Sequence, residues 1–347
     1  MSILTMDFGR PKTDICTTCE LEASIKIKNN STAKNILQEK LQLHKSKAKV
    51  FYTKLKEKTD LAKSEDDVEC LCFDFKQNVP YPHIATSDVF YSRQLWLFVF
   101  GLHSGKTGKS HIYTWPETEA RRGVNEVVSC LQHYINNHLD KKVRNLFIFT
   151  DGCRGQNHNN TMVQYLHSLV INGRFETVMH QLPYRGHSHL PCDRDFGVIE
   201  RLQRKQDHVE LYTGWNHIIK QRSALIEMNG SLIKTYKTGL SKYYRLNPKD
   251  WKITKYKQFC YNSLQDITVS EDMNGSVQKR FQLLKRWASN LPYPSDPFYT
   301  TPCAVNHKKI KNVTRLSCYL GQNARTYIQS LGEGAIAGHI EDDSDYE

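Results

Sequence analysis

Between Val68 and Lys205, short apolar runs alternate with longer runs of helical spacing, and this order restricts the fold more than any other feature of the chain. "VECLCFDF" (68–75), "RQLWLFVFGLH" (93–103) and "SHIYTWPE" (110–117) read as three strands. "NEVVSCLQHYINNHL" (125–139) repeats its apolar residues at helical steps through Val127, Val128, Leu131, Tyr134, Ile135 and Leu139. A strand "NLFIFT" (145–150), a helix at 161–173 ending on Gly173, a strand at 176–184 and a helix from Asp193 to Lys205 follow. The order β-β-β-α-β-α-β-α predicts an α/β domain built on a mixed sheet with helices on its faces.

The flanking segments differ in character. From Ser31 to about Ala62 the positions Ile36, Leu37, Leu41, His44, Ala48, Phe51 and Leu55 recur at helical steps among lysines, which predicts a basic amphipathic helix or helical pair, closed by the polar "SEDD" (64–67). Past Gly214, "HIIKQRSALIEM" reads as a helix, "KYYRL", "WKITKYKQF" and "ITV" as short strands, and "SVQKRFQLLKRWASNL" (276–291) as a basic helix. The final "EDDSDYE" reads as a solvated acidic tail, and no internal repeat is present.

Composition sets the class. The 347 residues are 39% hydrophobic, enough for a sizeable core. The 48 Lys and Arg against 36 Asp and Glu give a positive surface that suits a polyanionic partner such as nucleic acid or, less specifically, a membrane headgroup layer, with a merely basic protein as the equal alternative. No run approaches the roughly 18 apolar residues of a membrane span, and "MSILTMDFGRPKTD" lacks a signal-peptide core, so the expected location is nucleus or cytosol. In such a compartment the ten cysteines read as thiols, metal ligands or core residues.

Two acids stand at strand ends. Asp74 closes the first strand, and Asp151 follows "NLFIFT" directly, ahead of the amide-rich "GCRGQNHNN". Neighbouring strand ends can bring such carboxylates into one crevice, where they repel unless a cation lies between them; Mg²⁺ or Mn²⁺, held by one or two carboxylates with substrate phosphate, answers that need. The next helix offers a third acid: Asp193 and Glu200 lie seven apart and share a face, with Phe196 and Gly197 between them, and Gly197 is expected to let that face approach the sheet. The plainer reading takes Asp193 as a helix cap and Asp151-Gly152 as a turn.

These elements and acids resemble the ribonuclease-H-like fold of DDE/D transposases, retroviral-type integrases and related nucleases. More closely, "FDFKQNVPYPH", "FYSRQLW", "WPETEARRGVNEVVSCL", "FTDGCRGQNHN" and "RGHSHLPCDRDFGVIE" resemble an uncharacterised domain family that recurs in insect and other animal genomes, often in mobile-element-like genes. "GRPKTDICTTCE" and "LQLHKSKAKVFYTKLK" resemble the head that precedes it, so the likeness covers roughly residues 9 to 300. The resemblance implies Asp74 and Asp151 as strand acids, Asp193 as the leading third ligand with Glu200 as its alternate, and a helix-start glutamate, Glu126 or behind it Glu119. With this implication, Gln156, Asn157, His158, Arg185 and His187 become candidates for phosphate or sugar oxygens, and Arg201, Arg204 and Lys205 for a cationic rim. The implied chemistry is two-ion attack on a phosphodiester.

In the head, Cys16 and Cys19 have the spacing of a zinc half-site, with His44 as a third ligand. A fourth is not evident; an upstream segment missing at the abrupt start, a partner chain or His83 are the alternatives, against two unliganded thiols. The lysine-rich helix suits a phosphate backbone or a homodimer, and the aromatics among lysines in "KYYRLNPKDWKITKYKQF" suit base stacking, against a solvated helix face and an ordinary β-rich core. The expected organisation is a helical head (1–66), a ribonuclease-H-like domain (67–213), a mixed α+β extension (214–335) and an acidic tail (336–347). The expected function is transposase- or integrase-like action on DNA, with RNA left open; the alternatives are a domesticated, inert nucleic-acid-binding protein and a metal-dependent nuclease.

Overall fold

A computed structural model describes residues 16–20, 31–245 and 248–333; the expectations for 1–15, for the tail and for Leu246 lie outside them. The alternating segments form the predicted elements. Helix α1 spans Ser31–Ser64. Strands β1 (Val68–Phe75), β2 (Val79–Tyr81), β3 (His83–Ile84), β4 (Leu95–Ser104) and β5 (Ser110–Pro116) precede α2 (Val124–Asn137). Then come β6 (Asn145–Thr150), α3 (Asn160–Ile171), β7 (Thr177–Gln181) and α4 (Pro191–Gln203). Their ends carry ordinary signals: the Asn159 side chain accepts from Met162 N–H at 3.0 Å to start α3, Gly173 at φ +70 follows its end, and Pro191 stands in the first turn of α4.

The chain is mixed α/β with a ten-stranded mixed sheet flanked by helices. Its order is β12-β11-β10-β7-β6-β1-β4-β5-β9, with β2 paired to β4. At the centre β1, β6 and β7 are mutually parallel, while β4 is antiparallel to both β1 and β5. Both edges come from beyond residue 213: β9 (Ala224–Glu227) on one side, and β10 (Gln258–Tyr261), β11 (Ile267–Ser270) and β12 (Gln278–Phe281) on the other.

Strand alternation divides the core into two layers. Leu71 and Phe73, Phe98 and Phe100, and Leu146 and Ile148 pack towards α2, α3 and a short helix α5 (Tyr236–Ser241) on one face. Cys70 and Cys72, Leu97 and Val99, and Phe147 and Phe149 pack on the other, towards α1 and α4. Buried Leu41, Ala48, Phe51, Leu55 and Ala62 form the inward stripe of α1, whose lysines stay mostly solvated. Among the described residues, no helix is long and apolar enough to cross a membrane.

Past residue 211 the outcome departs from expectation. The segment read as one helix from His217 breaks in two, a helix Tyr212–Lys220 and then strand β9, and the helix α5 (Tyr236–Ser241) of the first core layer follows. "WKITKYKQF" forms a 3-10 turn at Ile253–Lys255 before β10, and Tyr244 of "KYYRL" makes a single bridge to Leu284. The helix expected at 276–291 is instead the edge strand β12 followed by irregular chain. Its Lys, Arg, Gln and Leu favour helix locally, but backbone pairing to β11, with Thr268 opposite Arg280, wins. Two further helices, α6 (His307–Arg315) and α7 (Gln322–Glu333), were not anticipated. They cover the second core layer through Val313, Ala324 and Ile328, anchored by buried Lys309, whose ammonium lies 2.9 Å from the carboxylate of buried Glu117 on the turn after β5.

Candidate active site and metal centre

Phase along two neighbouring strands places the first two acids. In β1, Cys70 and Cys72 face α1 and α4; in β6, Phe147 and Phe149 do the same. Two residues further, Asp74 and Asp151 continue those rows on that face. The strands are parallel with Phe73 opposite Thr150, so the two aspartates occupy the next positions along adjacent strands. Both are partly buried.

A glycine lets α4 close over this edge. Asp74 pairs with Gly101 of β4, and a Cβ at Gly101 would lie 2.5 Å from Cε1 of Phe196. Phe196 sits three positions after Asp193, on the same helix face, so the bare strand at Gly101 seats the first turn of α4 beside Asp74. The sequence reading gave this role to Gly197, but a Cβ there would meet nothing within 4 Å. Asp193 itself accepts from Leu190 N–H at 2.6 Å and lies 3.1 Å from Nδ1 of His189. It therefore caps the helix start, as the plainer reading held, and also borders the cleft.

The electrostatics follow. Burial, then the charge of Asp151, with Asp193 behind it, push the Asp74 carboxyl well above the ordinary carboxylate range, against the Phe75 amide and Arg122. Burial also raises Asp151, opposed by the side-chain amide of Asn157, 2.5 Å from Oδ1, by the Cys153 amide and by Arg122. Arg122, in the turn before α2, is thus a cation serving both aspartates that sequence reading passed over, although the adjacent "RRG" could have pointed to it.

Two clefts meet at this edge. One, of about 710 Å³, holds Asp74 and Asp193 with Tyr52, His187 and His189. The other, of about 510 Å³, holds Asp151 with Arg154, Arg185 and Lys257. Gly186 and Ser188 border both, so the carboxylates line one groove in succession with cationic groups at its Asp151 end.

Other expected site residues fall elsewhere. Glu200 lies two turns beyond Asp193, exposed, and accepts from Arg204 at 2.7 Å, which lowers its pKa; the pair occupies both residues. Lys205 is exposed, and Arg201 borders a further cleft, with Lys63 and Arg194, that shares His189 and Asp193 with the Asp74 cleft. Gln156, Asn157 and His158 are buried: Asn157 orients Asp151, and His158, which lines the Asp151 cleft, bonds the Ile253 carbonyl through Nε2 at 2.8 Å. Glu126 is buried, accepts from Gly123 N–H at 3.0 Å and bonds the Tyr299 hydroxyl; Glu119 accepts from Gly230 N–H at 3.1 Å. Glu126 thereby holds the start of α2, and Glu119 the turn at Gly230.

The head closes over the groove. Cys16, Cys19, His44 and His187 each direct one ligand atom to a common point, all four within 4.8 Å of one another. His187, read from sequence as a substrate contact, joins the cysteines, whereas His83 bonds the Gln206 carbonyl at 3.0 Å. Among the described residues these four form the group whose atoms are close enough to hold a metal ion.

No curated protein and no solved structure matches this chain. Over residues 89–244, a stretch that takes in Asp151, His187 and Asp193 but not Asp74 or the head, the chain matches a family model described as a domain of unknown function, DUF7869.

Proposed function

We propose that this protein cleaves or transfers nucleic-acid strands by metal-dependent attack on phosphodiesters, in the manner of a transposase or integrase, with Asp74, Asp151 and Asp193 as the ion-holding acids. The observation that carries the reading is the shared phase of Asp74 and Asp151 on adjacent parallel strands, under the helix that brings Asp193. A ribonuclease-H-like assignment draws on the same arrangement: three antiparallel strands, then two parallel strands each preceded by a helix, with acids at the ends of the central pair.

The donor set fits a hard divalent ion. Carboxylates are the ligands such an ion takes, Asp74 and Asp151 are made harder to ionise by burial and by the charge of neighbouring aspartates, and Mg²⁺ or Mn²⁺ would supply the positive charge they lack. When bound, such ions activate an attacking oxygen and stabilise a leaving one. The chain's own part is orientation. The Phe75 amide holds Asp74 at 2.7 Å, Asn157 holds Asp151, and Leu190 N–H with His189 holds Asp193. Arg154, Arg185 and Lys257 are placed to receive the phosphates flanking the scissile one, in keeping with the net charge of +12. DNA as the substrate, a nuclear location and descent from a mobile element belong to this same proposal.

Calorimetric titration with Mn²⁺, paired with cleavage of end-labelled DNA duplexes, tests it. The wild type should bind Mn²⁺ and cut, and Asp151→Asn should lose at least ~10²-fold in rate, the scale of removing one preorganised charge-stabilising group. DNA binding without divalent-ion binding or cleavage would leave an inert binding protein instead, and nicks without joined products would leave a nuclease.

A further inference from the structure

We propose that Cys16, Cys19, His44 and His187 form a closed Cys2His2 zinc site that staples the head to the loop leading into Asp193. Three separate stretches meet there: the Cys-Thr-Thr-Cys turn, α1 through His44, and the segment between β7 and α4 through His187. His44 Nε2 lies 3.2 Å from Cys16 Sγ, His187 Nε2 lies 3.5 Å from Cys19 Sγ, and the two ring nitrogens face each other at 2.8 Å. Zinc bonds of ordinary length place tetrahedral ligand atoms about 3.3–3.8 Å apart; the two sulfur–nitrogen pairs lie at or next to that range, and the ring nitrogens would part slightly to admit the ion. Hydrogen bonding alone suits the group poorly. A proton on either Nε2 serves one pairing at a time, whereas a soft divalent ion takes a lone pair from all four atoms at once.

The surrounding backbone is shaped for this approach. Gly186, just ahead of His187, has φ +80, and a Cβ there would lie 2.8 Å from Cys16 Cβ and 2.9 Å from its sulfur. The loop and the cysteine turn therefore touch at a position only glycine fits. Cys16 Sγ also lies 3.7 Å from the Arg185 carbonyl. Two turns along α1 from His44, Tyr52 reaches the backbone of His189, the neighbour of Asp193 in the cleft. Zinc would thus fix both ends of this span and hold the wall shared by the two clefts. The ligand set stands whether or not the aspartates hold catalytic ions, so the two readings fail separately.

The experiment uses the full chain, purified without chelator, with zinc measured by mass spectrometry and Co²⁺ uptake followed by its thiolate absorption. We expect about one zinc per chain in the wild type and in Asp193→Asn and His83→Asn, and loss of most of it in Cys19→Ser and in His187→Asn. Hydrogen exchange should show faster amide exchange across 185–193 after zinc removal. Unfolding is controlled by the far-UV spectrum, and a variant that keeps the wild-type spectrum while losing zinc supports the site. A wild type with neither zinc nor Co²⁺ uptake, a Cys16–Cys19 disulfide, or full zinc retention by folded His187→Asn would overturn it.

Discussion

At the scale of single residues, the site combines two carboxylates that folding makes harder to ionise. The native chain holds protons on Asp74 and Asp151 at pH values where the unfolded chain, near the ordinary 3.8, has released them. In chelator, stability should therefore fall as pH rises from about that value through the raised native ones and level off beyond them. Asp74→Asn should flatten that slope and raise the melting temperature at neutral pH in EDTA, while Mn²⁺ should stabilise the wild type and leave the variant unmoved. Thermal melts across pH with and without Mn²⁺ check this, and an unchanged slope in Asp74→Asn would remove the electrostatic account. Sequence patterning made these acids legible because each ends a visibly apolar strand. It did not show Arg122's charge acting on both aspartates or His187's place beside the cysteines, since what converges on them comes from distant segments. Asn157 and His158 illustrate the same limit: their polarity suggested a ligand, but burial gave them partners within the protein.

At the scale of elements, the fit of α4 against the sheet decides where Asp193 stands. Gly101→Ala would set a Cβ into the Phe196 ring, and such overpacking typically costs about 1–3 kcal/mol. It should also displace the first turn of α4, so Mn²⁺ affinity should fall although no acid has changed. Gly197→Ala, with open space at its Cβ, should be neutral or mildly stabilising. Urea unfolding together with Mn²⁺ calorimetry on the two variants distinguishes the roles of these glycines. The central elements were readable because their apolar spacing matches their periods: 68–75 and 145–150 fall on β1 and β6 residue for residue. The edge at 278–281 was not, because a short exposed strand is recruited by its neighbour's backbone and leaves no apolar alternation in its own side chains.

At the scale of the whole molecule, the C-terminal helices are held to the sheet by a buried ion pair. Lys309 and Glu117 are almost fully enclosed and lie 192 residues apart in the chain. Lys309→Ala would leave Glu117 enclosed with its main cation gone, so a loss of about 3–5 kcal/mol is expected. Replacing both with apolar residues of similar volume should recover much of that loss, and denaturant titration of the single and double variants measures the difference. This attachment was hidden from sequence reading, since one lysine among the three of "NHKKIKN" looks like any solvated charge.

The free margin of the sheet at Gln278–Phe281 carries Lys279 and Arg280, both solvent-facing. A second copy adding its own margin there would stack like charges side by side, which disfavours growth of a continuous ribbon from molecule to molecule. Self-association of this protein through that margin would accordingly be disfavoured, leaving β12 as the strand where the sheet finishes on this side.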